Sequence, residues 1–178
     1  MRIIAGFARG MVLAVPRGDA VRPTSDRVRE AIFSSLGDRV VGATVLDLFA
    51  GTGALGLEAA SRGAQAVTFV EQNRAALVVL EKNVAAYTGR GGEAKLTINR
   101  DDVSRFLRRG GRFDVVFADP PYGELPAQLL ADKNLPGIVG DRLVLESAKR
   151  DAVPVAPPWE LVREGVYGDT CVRILARL

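Results

Sequence analysis

A glycine-rich turn between an apolar strand and a helix constrains the fold of this chain more than any other feature. The stretch LDLFAGTGALG, from Leu46 to Gly56, contains G-T-G-A-L-G, a match to the pattern G-x-G-x-x-G. After a parallel strand, such glycines permit a tight turn and let the backbone approach a bound ligand closely. The stretch therefore predicts a parallel α/β sheet with a nucleoside ligand at the edge where the strand ends.

Strand and helix patterns alternate from Ala43 onward. The apolar runs ATVLDLF, AVTFVE, AKLTINR, FDVVFA and DRLVLES are separated by helical patterns, and WELVREGVYGDTCVRILARL predicts two late strands that pair antiparallel. Continuous apolar strands are typical of parallel sheets covered on both faces. We predict an α/β, Rossmann-like fold: a mostly parallel seven-stranded sheet with helices on both faces and an antiparallel last strand.

Two segments precede this alternation. The segment RIIAGFARGMVLAVP, with Gly6 and Gly10, predicts a short hairpin-like β arm rather than a core element. The segment RPTSDRVREAIFSSLG predicts a helix that Thr24 or Ser25 caps and that Gly37 ends. We therefore divide the chain into an N-terminal arm, residues 1–21, and a main domain, residues 22–178.

The composition excludes several kinds of site. The 178 residues suit one hydrophobic core, and the absence of histidine together with a single cysteine, Cys171, excludes catalytic triads and internal disulfides. We predict no metal site. Because no apolar run approaches the roughly 18 residues of a membrane span and no signal-peptide pattern is present, we expect a cytoplasmic protein. Nothing in the sequence requires a partner subunit, so we expect a monomer.

Positive charge is concentrated at the N-terminus. The whole chain carries +3, whereas Met1 to Arg29 carries six arginines against two aspartates, a balance of +4. A basic arm suggests an anionic partner such as nucleic acid. The alternative is an arginine-rich composition, since arginine outnumbers lysine by twenty to four. The candidate RNA-binding residues are Arg2, Arg9, Arg17 and Arg22; the alternative is that they are solvated surface charges, or that Arg22 and Arg27 serve the ligand pocket.

The glycine turn alone does not identify its ligand. Glu71 follows the second strand, twenty residues after Gly51, where a carboxylate accepts hydrogen bonds from ribose hydroxyls in nicotinamide enzymes and suits S-adenosylmethionine equally. Asp47 distinguishes between the two kinds of ligand, because a carboxylate at this turn repels a pyrophosphate and attracts a methionine ammonium group. Asp101 and Asp102 follow the third strand, where an adenine amino group can donate to a carboxylate.

The string D-P-P-Y, Asp119 to Tyr122, follows the fourth strand. Two prolines restrict the backbone, so they can hold the Asp119 carboxylate and the Pro120 carbonyl as paired acceptors for an exocyclic amine. Tyr122 supplies a ring for base stacking, worth roughly 1–3 kcal/mol. The alternative is a double-proline loop with a packing tyrosine.

These strings resemble one family from Arg2 to the C-terminal strands. RIIAGFARG, RPTSDRVREAIFSSL, DLFAGTGALGLEAASRGA, VEQNRAAL and DPPY resemble the bacterial RsmD family. Its members are class I, S-adenosylmethionine-dependent methyltransferases that act on the N2 amine of one guanine in 16S rRNA. The arm and the RPTSDRVREAIF helix are the parts specific to RsmD, since the central motifs occur in many methyltransferases.

The resemblance implies a role for each matching residue. It places Thr24 and Arg27 near the methionine end of the cofactor. It implies that the cofactor turn is formed by Asp47, Phe49, Gly51 and Gly53. The ribose would be bound by Glu71, and the adenine by Gln72, Asp102 and the Val103 backbone. The guanine would be held by Asp119, Pro120 and Tyr122. Relatives often have phenylalanine at the position of Tyr122, and either ring can stack.

The function that the resemblance implies is methyl transfer from S-adenosylmethionine to a guanine N2 of 16S rRNA, in the small subunit or an assembly intermediate. A DNA adenine-N6 methyltransferase and a small-molecule methyltransferase remain alternatives on the same fold. A non-catalytic RNA-binding module is the alternative from a different class. A nicotinamide oxidoreductase is disfavoured by Asp47.

Overall fold

The computed structural model describes residues 1–16, 25–121, 123 and 125–178, and it contains the predicted alternation of helices and strands. The helices are α1 (Asp26–Leu36), α2 (Ala54–Ser61), α3 (Arg74–Gly89), α4 (Val103–Arg109), α5 (Leu125–Leu130) and α6 (Leu135–Ile138), and a 3₁₀ turn covers Gly37–Val40. The strands are β1 (Thr44–Leu48), β2 (Ala66–Glu71), β3 (Lys95–Arg100), β4 (Phe113–Ala118), β5 (Val139–Ala148), β6 (Trp159–Tyr167) and β7 (Thr170–Arg177). None of the described helices is long and apolar enough to cross a bilayer.

One sheet contains all seven strands, in the order β3-β2-β1-β4-β5-β7-β6. Strands β1 to β5 pair in parallel, whereas β7 is antiparallel to both of its neighbours, β5 and β6. The predicted mostly parallel sheet with an antiparallel last strand is therefore confirmed. The order reverses between β1 and β4, and ligands of open α/β sheets bind outside the carboxyl ends of the strands at such a reversal.

Alternation along the strands divides the core into two layers. Val45, Phe69 and Phe117 are fully buried on the face that the arm and helices α1 to α3 cover. Leu46 and Val116 are fully buried on the opposite face, against α4 to α6. Because both faces are covered, the central strands are apolar throughout, which explains the continuous runs in the sequence.

Helix α1 begins and ends as its local sequence predicts. The Ser25 hydroxyl accepts a hydrogen bond from the Val28 N–H at 3.3 Å, which satisfies one free donor of the first turn. Gly37 follows the last helical residue with a φ of +54°, a conformation that glycine adopts without strain. Thr24, the alternative cap, lies outside the described residues.

The N-terminal arm is a hairpin, but the expectation that it is not a core element is wrong. The Ile3 N–H donates to the Met11 carbonyl at 2.9 Å, and Arg2 and Val12 form an antiparallel bridge. Alternation places its apolar side chains on one side, where they join the core cluster of α1 to α3: Ile3, Ala8, Met11 and Leu13. The boundary after residue 21 lies outside the described residues.

A buried carboxylate on α2 holds the arm in place. The Glu58 side chain is fully buried and accepts hydrogen bonds from the Ile4 N–H at 2.7 Å and the Ala5 N–H at 3.1 Å. The Arg62 Nε–H donates to the same carboxylate at 2.7 Å. Buried backbone donors need a partner, so Glu58 supplies what a neighbouring strand would otherwise supply.

Replacing Glu58 by leucine is expected to lower the free energy of unfolding by about 2–4 kcal/mol, because two backbone N–H groups and Arg62 lose their acceptor. Denaturant titration measures the difference. The control is Glu81→Leu, which removes a carboxylate from an exposed pair with Arg100 and should change stability by about 0.5 kcal/mol or less. Equal losses in the two variants would contradict this role of Glu58.

Candidate active site

Four acidic residues stand at the carboxyl ends of four adjacent strands. Asp47 lies in β1, Glu71 ends β2, Asp119 directly follows β4, and Glu146 lies near the end of β5. The register pairs Ala118 with Leu145, so Asp119 and Glu146 occupy the next level of the sheet. Strand alternation places all four on the face covered by α1 and α2. We call this group the acidic edge.

Sequence analysis identified Asp47, Glu71 and Asp119 but missed Glu146. The sequence feature that could have identified Glu146 is its position inside the apolar run DRLVLES, where a carboxylate is unusual unless it has a partner. Glu146 is buried in the structure. Within the described ranges, no group of three or more Asp, Glu, His or Cys residues has the arrangement of a metal site.

The turn after β1 has the conformation that its glycines permit. Phe49, with a φ of +58°, is the only non-glycine residue with positive φ in the described part of the chain. Gly51 and Gly53 have φ values of +56° and +78°. A Cβ on Gly53 would lie 2.5 Å from the Leu80 side chain, whereas one on Gly51 would meet only open space and a single atom at 3.9 Å. The turn is therefore packed on its inner side and open at Gly51.

Asp47 is a buried carboxyl group with one structural hydrogen bond. Its Oδ2 accepts from the Gly56 N–H at 2.9 Å, and a Cβ on Gly56 would lie 3.0 Å from the same oxygen. Burial raises the pKa of Asp47 well above its ordinary value, and the charges of Asp119 and Glu71 raise it further, against the Gly56 N–H, which lowers it. A cation placed beside Asp47 would therefore stabilise its ionised form.

Glu71 joins the end of β2 to the glycine turn. Its Oε2 accepts from the Gly51 N–H at 2.8 Å, and its Oε1 accepts from the Gln72 and Asn73 N–H groups at 2.9 and 2.8 Å. A carboxylate has about four acceptor positions, so one remains for a ligand hydroxyl. The Gln72 side chain is exposed beside it.

Asp102 and Val103 begin helix α4 after β3. The Asp102 carboxylate caps the helix by accepting from the Arg105 N–H at 3.1 Å. Val103 is the first helical residue, and the N–H groups of a first turn have no acceptor within the helix. Asp101 is occupied instead by Arg105 and Arg109, at 3.5 and 2.6 Å.

The D-P-P loop stands beside the glycine turn because β4 is the neighbour of β1. Asp119 is half-buried, Pro120 is buried and Pro121 is exposed. Asp119 is close enough to Asp47 for its charge to raise the pKa of that carboxyl group. Tyr122 lies outside the described residues, as do Thr24, Arg17 and Arg22.

Three further predicted residues, Arg27, Arg2 and Arg9, are exposed. Arg27 is exposed on α1, and Arg2 is exposed 3.9 Å from Asp26. Arg9 is exposed at the tip of the arm, where the neighbouring Ala8 N–H donates to Ser61 at the end of α2. Helix α2 starts at the glycine turn and spans about 12 Å, so the structure does not bring Arg9 to that turn.

Arg29 is a buried cation, although in the sequence it was counted only toward the positive charge of the N-terminal segment. Its guanidinium is fully buried and donates to the Arg2 carbonyl at 2.5 Å and to Asp26 at 2.8 Å. Among the described residues, its Nε and Nη1 have no hydrogen-bond partner. Burial lowers its pKa, while the charges of Asp26, Glu58 and Glu146 raise it. Helical spacing was the available signal, because Arg29 is three and four residues before the buried Ile32 and Phe33.

Comparison with known proteins decides the family. The family model described as "Conserved hypothetical protein 95" matches residues 1–176, and a 40% identical relative covers nearly the whole chain. The chain belongs to the RsmD family. The predicted family and the class I methyltransferase fold are both confirmed.

The relatives cover almost the full length. "Ribosomal RNA small subunit methyltransferase D" of Escherichia coli K12 is 40% identical over 184 residues, 99% of this chain and 90% of the relative. The protein of the same name from Haemophilus influenzae is 35% identical, over 98% of this chain and 92% of the relative. The solved structure of yhhF from Escherichia coli superposes with a TM-score of 0.82 at 39% identity, covering 99% and 97% of the two chains.

Asp47→Asn is expected to stabilise the protein increasingly as the pH rises. A carboxyl group with a raised folded-state pKa contributes stability that is present below its unfolded pKa and lost as the pH rises through the folded value. Asparagine keeps an oxygen for the Gly56 N–H but does not ionise. Denaturant unfolding of both proteins between pH 4 and pH 8 measures the difference.

Asp114→Asn is the control with the opposite sign. Hydrogen bonds from the Thr44 N–H and hydroxyl lower the pKa of Asp114, so its contribution is present above the unfolded pKa and is lost in acid. This variant should be less stable than the parent at neutral pH, with a difference that shrinks in acid. If the difference in free energy of unfolding between the parent and Asp47→Asn does not change with pH, the Asp47 carboxyl group ionises normally in the folded protein.

Proposed function

We propose that this chain transfers a methyl group from S-adenosylmethionine to the exocyclic N2 amine of one guanine in 16S rRNA. The observation that carries the proposal is the convergence of Asp47, Glu71 and Asp119 around the open glycine turn, with the D-P-P loop beside it. The names of the relatives support rRNA of the small subunit as the substrate class. We therefore propose that it acts in the cytoplasm, on this RNA in the subunit or in an assembly intermediate.

The acidic edge suits S-adenosylmethionine better than a dinucleotide. The ligand's methionine part carries a sulfonium and an ammonium group, and each relieves the unfavourable ionisation of buried Asp47. A pyrophosphate would instead bring negative charge to three carboxyl groups. The turn is open at Gly51, which leaves room for the ligand. The residues present therefore fit S-adenosylmethionine.

Each remaining part of the ligand has a proposed partner. Phe49, Gly51 and Gly53 form the turn that the ligand crosses, and the free acceptor position of Glu71 receives a ribose hydroxyl. Asp102 accepts from the adenine amine while the Val103 N–H donates to the ring. The other proposed contacts follow the family pattern: Thr24 and Arg27 at the methionine and Gln72 at the adenine.

Bound S-adenosylmethionine supplies an electrophilic methyl group, and the chain positions the amine that receives it. The Asp119 carboxylate and the Pro120 carbonyl accept hydrogen bonds from the two N2–H groups and direct the nitrogen lone pair toward the methyl carbon. The N–C bond forms as the S–C bond breaks, and one N2 proton leaves to Asp119 or to water. A paired guanine cannot reach this loop, so the base must be unpaired or flipped, with Tyr122 stacking on it.

Asp119→Ala is expected to lower kcat by about 10²-fold or more, because the amine loses its charged acceptor, while S-adenosylhomocysteine still binds. Radiolabelled methyl transfer and isothermal titration measure the two effects. Asp38→Ala, on the exposed turn after α1, is the matched control and should keep parental turnover. Near-parental turnover of Asp119→Ala would remove Asp119 from the mechanism.

The substrate is tested with small ribosomal subunits that lack the native methylation. Labelled S-adenosylmethionine is added, and the product nucleosides are identified by mass spectrometry. N2-methylguanosine is the expected product. N6-methyladenosine in subunits or DNA would overturn the guanine assignment, and cofactor binding without transfer to any nucleic acid would favour a small-molecule substrate. Stabilisation by NAD but not by S-adenosylhomocysteine would overturn the cofactor assignment.

A further inference from the structure

A groove runs along the outer side of helix α1, between that helix and strands β7 and β6. Its wider end is a cavity of about 510 Å³ lined by Leu36, Arg39, Arg142, Val162, Arg163 and Ile174. A narrower recess continues from it between Ala31 and Ser35 of α1 and Gly165 and Tyr167 of β6. We call the whole feature the α1–β6 groove.

The wide end of the groove is positively charged. The Asp141 carboxylate forms ion pairs with both Arg39, at 2.9 Å, and Arg142, at 2.5 Å. One negative charge therefore balances only one of these two positive charges. Arg163 is exposed and makes no ion pair with any residue in the described ranges. The nearby Glu164 pairs with Arg173 at 2.8 Å and is opposite that residue in the strand register. Three arginines against Asp141 leave an excess of two positive charges.

The groove leads to the acidic edge. Strands β5 and β6 are both antiparallel to β7, so Tyr167, at the end of β6, lies at the same edge of the sheet as Glu146. Helix α1 runs the opposite way: Arg29, in its first turn, is within the influence of Glu146, whereas Arg39, beyond its end, pairs with Asp141 near the start of β5. The 11 residues of α1 span about 16 Å.

An aromatic ring stands at the end nearer the site. Tyr167 is half-buried, and a Cβ on Gly165 would lie 2.8 Å from its ring, so the ring lies against the bare backbone of Gly165. Proteins that hold single-stranded nucleic acid combine a positively charged groove along the backbone with aromatic rings for the bases. The α1–β6 groove has both features, with the positive charge at its wide end and the aromatic ring at the end nearer the acidic edge.

We propose that the α1–β6 groove binds the single-stranded RNA flanking the target guanine, with phosphates at Arg39, Arg142 and Arg163 and a base beside Tyr167. The inference rests on the proposed function, since it assumes that the substrate is RNA. It assigns substrate binding to the outer strands of the sheet, in addition to the arm. Its charge is opposite to that of the acidic edge, so phosphates are held away from the carboxylates while the base reaches them.

The test removes two exposed charges together, in the variant Arg39→Gln/Arg163→Gln. The KM for undermethylated small subunits should rise by about tenfold or more. The slope of log(kcat/KM) against log salt should become shallower by about 1.4, because two phosphate contacts to a single strand are lost. At saturating subunits, kcat and the affinity for S-adenosylhomocysteine should be unchanged. The matched control is Arg90→Gln, an exposed arginine after α3 on the opposite flank, which should keep the parental KM and slope.

Each other outcome is decisive. A double variant that behaves like Arg90→Gln overturns the groove as an RNA site. If the parental protein methylates no RNA, the proposed function fails, and the groove is judged by equilibrium binding of small-subunit rRNA to the same variants. Unchanged rRNA affinity with lost affinity for a poly-glutamate peptide would make an acidic protein segment the occupant and overturn the proposal.

Discussion

One hydrogen bond, from the Gly56 N–H to the Asp47 carboxylate, holds the end of β1 against the first turn of α2. The glycine turn lies between these two groups, with Phe49 at positive φ and Gly53 packed against Leu80. The bond places a carboxyl group in a buried position where its ionisation is unfavourable. A positive charge beside Asp47 would make its ionisation more favourable, whereas a neutral group would not.

Buried charge also connects the parts of the molecule around the site. Glu58 fixes the arm to α2, and Arg29 fixes α1 to the arm through the Arg2 carbonyl. Because Arg29 also lies in the field of Glu58 and Glu146, the arm, α1 and β5 share one electrostatic network. A cation with unpaired nitrogens is costly to bury, so the surrounding carboxylates are what keep it there.

Local sequence was sufficient for the features that local chemistry determines. The glycine turn, the Ser25 cap and the apolar strands depend on neighbours within a few positions, and each lies where the sequence predicted it. The burial of Arg29 and Glu146 depends on which strands are adjacent, and no local pattern gives the order β5-β7-β6. The arm was underestimated for the same reason: Ile3 and Met11 alternate weakly, and only their packing beside α2 makes them core residues.

The arm also has a consequence for the order of events during synthesis. It is made before its hydrogen-bond partners, which are far along the chain: Glu58 is 54 positions after Ile4, and Asn83 is 69 positions after Ala14. At roughly 5–20 residues per second, translation reaches Asn83 about 3–14 s after it has passed Ala14. The backbone of the arm lacks its partners on α2 until Glu58 and Ser61 have been made, and its partner on α3 until Asn83 has been made. The arm can therefore take its native place only after α2 and α3 have been made.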